Sequence, residues 1–343
     1  MTAVLQPDVL DRSRATVLRA LQAAVARLDG ASRAATAYHL GWTEADGSPR
    51  SSGGGGKAVR STLALLSAEL AGAPAEVGVP GAVAVELVHN YSLLHDDVMD
   101  GDTERRHRPT VWALWGIPTA VLTGDALLAL AAEVLLECRS PQAAATAREL
   151  LATTRELVRG QFADLSFETR PAVGLGECLD MADGKTGALL AISSCIGARL
   201  AGAPEAVVDA LRSYGAHLGT AFQLVDDLLG IWGDPAVTGK PVLADLRTRK
   251  KTLPVAYVLG SGTPAGRALA AWYAADHAAD GDSDEVLARI AELVEDGGGR
   301  SWAEAEAARR MARAEGALGQ VCLPAGPRAE LVELGRFLTR RSS

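Results

Sequence analysis

Asp96, Asp97 and Asp100 close the run Glu86-Leu-Val-His-Asn-Tyr-Ser-Leu-Leu-His-Asp-Asp-Val-Met-Asp100, in which apolar residues otherwise dominate. The spacing predicts a helix, because Val85, Val88, Leu93, Leu94 and Met99 recur at helical intervals and no Pro or Gly intervenes before Gly101. Asp96 and Asp100 are then one turn apart on one stripe, about 6 Å along the axis, and His89 returns to the same stripe. Asp97 points roughly 100° away. Like charges four apart destabilise a bare helix, so a cation is expected between them. Carboxylate oxygens suit Mg2+, which keeps waters and takes further ligands from phosphates. Arg105 and Arg106 follow directly, and a planar guanidinium suits phosphate oxygens.

A second acidic pair lies in Phe222-Gln-Leu-Val-Asp-Asp-Leu-Leu-Gly230. Asp226 and Asp227 have apolar neighbours on both sides, and buried carboxylates are rare unless they are paired or hold a metal. Three cationic stretches accompany the acids. Lys57 and Arg60 follow a Gly-rich run and share one face of a helix start, where a diphosphate can sit. The run is not a P-loop, because Ala58 breaks the required order and no buried strand precedes it. Asp183-Gly-Lys-Thr-Gly187 places two glycines and a lysine inside an apolar helix, a costly arrangement that marks a bend or a substrate entry. Lys240, Arg247, Arg249, Lys250 and Lys251 lie in a Gly- and Pro-rich loop that can act as a lid. Carboxylates and cations at one end of a cavity, and hydrocarbon at the other, match a diphosphate with an isoprenoid tail.

The chain has 343 residues, 48% hydrophobic but only 4% aromatic, which favours an all-α fold with an Ala-, Leu- and Val-rich core. A net charge of −8 argues against a nucleic-acid binder, which would show a basic face. Cys138, Cys178, Cys195 and Cys322 are scattered, which argues against a zinc or disulfide framework and for a reducing, cytoplasmic setting. No signal peptide is expected at the N-terminus, and no membrane span is expected, since charges interrupt every long apolar stretch. Helical spacing covers 8–29, 58–72, 79–100, 117–138, 142–169 (with Gly160, Gln161 and Asp164), 175–200 and 205–232. Further helices are expected beyond 252, broken at 260–264, 297–299 and 324–327, and no strands.

In these motifs the chain resembles the trans-isoprenyl diphosphate synthases, the polyprenyl synthetase family. The resemblance runs motif by motif over about 50–255, with the helices of 256–343 completing a single domain. It implies a helical bundle around a central cavity, about three Mg2+ ions, a homodimer, and condensation of isopentenyl diphosphate with an allylic diphosphate. By resemblance, Lys57, Arg60, His89 and Arg106 bind isopentenyl diphosphate. Asp96 and Asp100 ligate Mg2+ with Asp97 in support, and Asp226 anchors a third ion. Arg105, Lys185, Thr186, Gln223, Lys240 and Lys250 hold the allylic diphosphate, with Lys185, Thr186 and Gln223 nearest the chemistry. Tyr91 and Ser92, five and four before Asp96, are the positions that set product length. An aromatic residue at the fifth position without an insertion in the motif resembles geranylgeranyl (C20) synthases, with farnesyl (C15) next.

Three departures stand out. Ala58 replaces an arginine, His107 stands where glycine usually follows the arginine pair, and Gly230 replaces the last aspartate of the second acidic motif. A class I terpene cyclase shares the ionisation step, but Asp226, Gly230 and Asp234 fit its second metal motif poorly. A non-catalytic partner subunit is the remaining alternative, and it would be expected to have lost acids or cations.

Overall fold

A computed structural model of the chain describes residues 6–50, 58–170, 172–234, 242–275 and 282–340. Lys57 and Lys240 lie outside the described residues. The helices are α1 (Asp8–Val25), α2 (Gly30–His39), α3 (Val59–Leu70), α4 (Val79–Met99), α5 (Val111–Trp115), α6 (Ile117–Leu136), α7 (Ala143–Thr169), α8 (Leu175–Ala182), α9 (Ala188–Ser193), α10 (Ile196–Leu200) and α11 (Glu205–Trp232). Short helices at Ala244–Arg247 and Leu253–Leu259 follow, then Pro264–Ala274, Asp284–Asp296, Gly299–Leu318 and Ala325–Thr339. The fold is all-α. Its one sheet among the described residues is a hairpin of β1 (Glu104–Arg105) and β2 (Arg108–Pro109).

The chain divides into two compact units. The first comprises Met1–Thr154, Ile192–Arg212 and Val321–Glu333. It is built around α4, in which Ala82, Val83, Ala84, Val85, Leu87 and Val88 are at most 2% exposed. A helix apolar on all sides must be surrounded, and α4 packs against α1, α3, α6 and α10. Small residues permit close approach. A Cβ at Gly197 would fall on the Ala64 carbonyl, and Ser67 Oγ accepts from Gly197 N (2.9 Å) and Ala198 N (3.2 Å), capping α10. By length and composition α6 is apolar enough to cross a membrane, with a mean hydropathy of 1.7. A core helix has the same composition, and α6 lies along α4.

The second unit comprises Arg155–Ala191, Ser213–Gln320 and Leu334–Ser343. Leu224, Val225 and Leu228 of α11 pack with Phe167, Cys178, Leu253, Ala256, Ala303 and Ala307. The helix expected over 175–200 is not continuous: α8 passes into a π-helical turn at Asp183–Gly187, then α9, and the chain breaks again at Cys195 before α10. The helices α2, α5 and Ala244–Arg247 were not foreseen in the sequence, nor was the hairpin, since no strands were expected. The helices expected beyond 252 end where glycine and proline said they would, at Gly260, Gly297 and ahead of Ala325.

Candidate active site

In the first unit the site is the C-terminal end of α4 and the hairpin that follows. Asp96 is half-buried and Asp100 exposed, both on the stripe expected. No basic residue occupies the last turn of α4, so its acids meet the negative end of the helix dipole with no cation from the helix itself. The helix stops in a Schellman arrangement, with Gly101 at φ 68° and Asp102 N donating to Asp97 O at 2.9 Å. Asp97 faces the other way, 1% exposed, and its Oδ1 accepts from Arg105 Nε at 2.6 Å. Burial raises its carboxyl to about 6, against the pull of Arg105, and Oδ2 is buried without a hydrogen-bond partner.

The hairpin presents the arginines. Arg105 pairs with Arg108 across it, and Arg106 and His107 form the two-residue turn, at φ 53° and 60°. A turn with both central residues left-handed normally selects Asn-Gly, which is why His107 stood out against the resemblance. Arg108 anchors the hairpin, donating to the carbonyls of Tyr38 and Thr43, each at 2.9 Å. Tyr38 Oη in turn donates to Pro109 O at 2.8 Å. Beside it, Arg60 Nη1 lies 3.4 Å from His89 Nε2, and Glu86 accepts from both Ser61 N (3.1 Å) and Ser61 Oγ (2.8 Å), holding the start of α3 against α4. Burial, then Arg60 and Arg106, hold His89 well below its ordinary value, so it is neutral. His39, unforeseen, is pushed down to about 3 by burial, then by Arg106, Arg105 and Arg108.

Tyr91 lies off the Asp96 stripe, as helix geometry requires, and its ring meets His95 edge-on at 4.7 Å. His95 sits in a notch of α6: its ring occupies the space of a Cβ at Gly124, and Nε2 is 3.1 Å from Val121 O. Tyr91 is therefore turned towards α6. Ser92 is buried and donates to His89 O at 2.8 Å.

In the second unit the π turn carries Lys185 and Thr186. Such turns recur at functional sites, and the glycines explain this one. A Cβ at Gly160 would fall on the backbone N of Lys185, and one at Gly219 would sit 2.5 Å from Gly187 Cα. Lys185 Nζ donates to Asp164 Oδ2 at 2.5 Å. Thr186 Oγ1 donates to Gln223 Oε1 (2.7 Å), Gln223 Nε2 to Asp227 Oδ1 (2.8 Å), and Leu253 N to Asp227 Oδ2 (2.8 Å). This chain fixes which end of the Gln223 amide faces Thr186. Burial raises Asp227 to about 7, and Asp245 and Asp226 add to the rise. Asp226 is exposed, about 100° round α11 from the buried Asp227. Lys250 is exposed, whereas Lys251 is spent on Phe167 O at 2.7 Å.

Among the described residues no three His, Cys, Asp or Glu side chains form a metal cage. The donors fit a different arrangement. Asp96 with Asp100, and Asp226 in its own unit, offer hard oxygens to a Mg2+ that keeps waters and completes its shell with substrate phosphates. The sequence motifs assign no role to Asp164, Gln161 or Asp227. The signal was present in the polar run Gly160-Gln161-x-x-Asp164 within α7, and Gln161 is 5% exposed with neither amide atom hydrogen-bonded.

The polyprenyl synthetase family profile matches residues 50–290. A (2E,6E)-farnesyl diphosphate synthase of Mycobacterium tuberculosis is 54% identical over 317 residues, covering 92% of this chain and 88% of the relative. A geranylgeranyl diphosphate synthase of the same organism is 42% identical over 344 residues, covering 99% and 95%. Among solved structures, a polyprenyl synthetase from Streptomyces coelicolor superposes with a TM-score of 0.93 at 52% identity, covering 96% of this chain and 98% of that one. With its acidic helix ends and flanking cations in the order the motifs demand, the chain belongs to the polyprenyl synthetase family and is a trans-prenyltransferase.

Proposed function

We propose that the chain condenses isopentenyl diphosphate with an allylic diphosphate, using about three Mg2+ ions, to give a short-chain (E)-prenyl diphosphate, geranylgeranyl diphosphate (C20). The observation that carries the reading is the Asp96/Asp100 stripe at the end of α4, followed at once by Arg105 and Arg106 on a pinned hairpin. Arg60, Arg106 and Lys57 hold isopentenyl diphosphate. His89 joins them there, its ring held well below its ordinary value by burial and then by Arg60 and Arg106. Arg105, Lys185, Lys240 and Lys250 hold the allylic diphosphate. Mg2+, when held by Asp96, Asp100 and Asp226, withdraws charge from the leaving diphosphate and eases carbon–oxygen ionisation. The Thr186 and Gln223 oxygens lie next to the developing allylic cation. The isopentenyl double bond attacks it, and the released diphosphate takes the proton.

Tyr91 supports the C20 assignment. Its ring is turned towards α6, which is where a growing tail beside α4 would meet it. A C15 product is the second reading, favoured by the 54% identity to a farnesyl diphosphate synthase. Product analysis of the wild type and Tyr91→Ala decides between them. The first reading expects C20 from the wild type and longer chains from the variant. An unchanged distribution would place the floor elsewhere. The chain works as a homodimer of single-domain subunits in the cytoplasm, a setting supported by its four unpaired cysteines.

A further inference from the structure

The π turn of Asp183–Gly187 is tied to α11 by two rungs. Thr186 Oγ1 donates to Gln223 Oε1 at 2.7 Å. Three residues earlier on both elements, Thr220 Oγ1 donates to Asp183 Oδ1 at 2.6 Å. Residues three apart share a helix face, so Thr220 and Gln223 meet the turn together. Lys185 lies between the rungs in sequence, and its Nζ donates to Asp164 Oδ2 at 2.5 Å. Asp183 also closes the turn, because its carbonyl accepts from Ala188 N, a bond of π rather than α spacing. If the turn relaxed to the commoner α pitch, Lys185 and Thr186 would rotate out of place. We propose that Asp183 and Thr220 are positioning residues for the allylic diphosphate, holding the π turn in the register that aims Lys185, with Arg310 bracing Thr220. The inference rests on the allylic role proposed above for Lys185.

The brace comes from helices that carry none of the motifs. Thr220 is 1% exposed, and its hydroxyl has a second acceptor within reach, Ala216 O at 3.2 Å, the usual resort of a helical threonine. A charged acceptor at 2.6 Å outcompetes a neutral carbonyl at that longer distance. Arg310, on the helix Gly299–Leu318, donates from Nη1 to Thr220 Oγ1 at 3.4 Å. The hydroxyl therefore accepts from a cation and passes its own proton to a carboxylate, a sequence of bonds in which each polarises the next. Arg310 is itself fixed, because its Nε donates to Glu306 Oε1 at 2.7 Å. Asp183, Thr220, Glu306 and Arg310 all belong to the second unit.

The test removes the rung from either side. Thr220→Val and Asp183→Ala delete it, whereas Thr220→Ser keeps the hydroxyl and Asp183→Asn keeps an acceptor oxygen. The readouts are equilibrium affinity for geranyl thiolodiphosphate with Mg2+, an allylic probe that does not ionise, then kcat and the KM of each substrate, with melting temperature alongside. Thr220→Val and Asp183→Ala should each weaken probe binding by about 10-fold. Each should lower kcat by about 10-fold, through misplacement of the turn, and leave KM for isopentenyl diphosphate unchanged. The double variant should be no worse than either alone, because both changes remove one bond. Thr220→Ser and Asp183→Asn should stay near the wild type, and Arg310→Met should weaken the probe by about 3-fold. A lower melting temperature with wild-type probe affinity and kcat would make the rung structural only and overturn the inference. So would Thr220→Ser no better than Thr220→Val, or equal effects on both substrates. Wild-type behaviour of Arg310→Met would overturn the brace. If Thr220→Val fails to fold, Asp183→Ala, at an exposed position, decides alone. A wild type that makes no prenyl product would overturn the parent reading instead, and the probe series would still decide the role of the rung.

Discussion

At the scale of single residues, function and stability pull apart at the end of α4. Asp96 faces Asp100 one turn away and the negative end of the helix, with no basic residue in that turn. Both effects oppose folding, by a few tenths to about 1 kcal/mol each. Asp96→Asn should therefore melt at or slightly above the wild-type temperature while turnover falls by about 10²-fold or more, since stabilising departing charge is usually the largest catalytic effect. Calorimetry and an initial-rate assay on the same preparation check both halves. An unstable variant with normal turnover would mean the pair is structural. In the proposed function the two diphosphates separate by residue as well. Arg60→Ala should raise KM for isopentenyl diphosphate, and Lys185→Ala should act on the allylic substrate, because Lys185 rides the π turn with Thr186 whereas Arg60 lies beside His89. Equal effects of both changes on both substrates would refute the assignment.

Elements explain the departures from the family pattern. The turn of the hairpin needs two left-handed residues, and His107 occupies one of them at φ 60°. His107→Gly should stabilise the protein by about 1 kcal/mol, since left-handed backbone costs a non-glycine residue about that much. Thermal melting reads it directly. Gly160→Ala should do the opposite. Its methyl would fall on the backbone of Lys185, and overpacking of this kind costs about 1–3 kcal/mol and would push the π turn out of place. Most of the long helices were legible because each carries apolar residues at helical intervals, and the glycines of 183–187 announced a distortion there. The α2 helix was not, because Gly30-Ala-Ser-Arg-Ala-Ala-Thr-Ala-Tyr-His39 has small residues in place of an apolar stripe. It is started by Asp29, whose Oδ1 accepts from Ala31 N (2.9 Å) and Ser32 N (3.1 Å). The hairpin escaped notice for a similar reason: Arg106-His107 carries no turn signal, and its geometry is imposed by Arg108 and Tyr38.

For the whole molecule, buried titratable groups set the response to pH with opposite signs. His39, at about 3, and His89, well below its ordinary value, are depressed in the fold. Between their folded values and the unfolded value near 6.5, the unfolded chain binds more protons. Their stabilisation is full above about pH 6.5 and is lost as pH falls. Asp97 and Asp227, raised by burial to about 6 and about 7, act in reverse, because the folded state holds the extra proton and gains as pH falls through those values. The melting temperature of His39→Gln should accordingly fall less than that of the wild type between pH 7 and about 4.5. Parallel curves would show that His39 does not carry the effect. The candidate site was readable where one stretch of chain holds its parts together, as at Asp96, Asp100, Arg105 and Arg106. It was unreadable where parts meet only through the fold, as Lys185 and Asp164 do.

In the proposed function this chain couples ionisation of an allylic diphosphate to capture by isopentenyl diphosphate. Diphosphate release measured alongside product mass tests it, with each substrate alone, with both together, and with Mg2+ or a chelator. Release is expected at full rate only with both substrates and Mg2+, matched mole for mole by isopentenyl units incorporated, with C20 as the end product. Full-rate release from the allylic substrate alone, accompanied by a cyclised hydrocarbon, would contradict it, as would no release under any of these conditions.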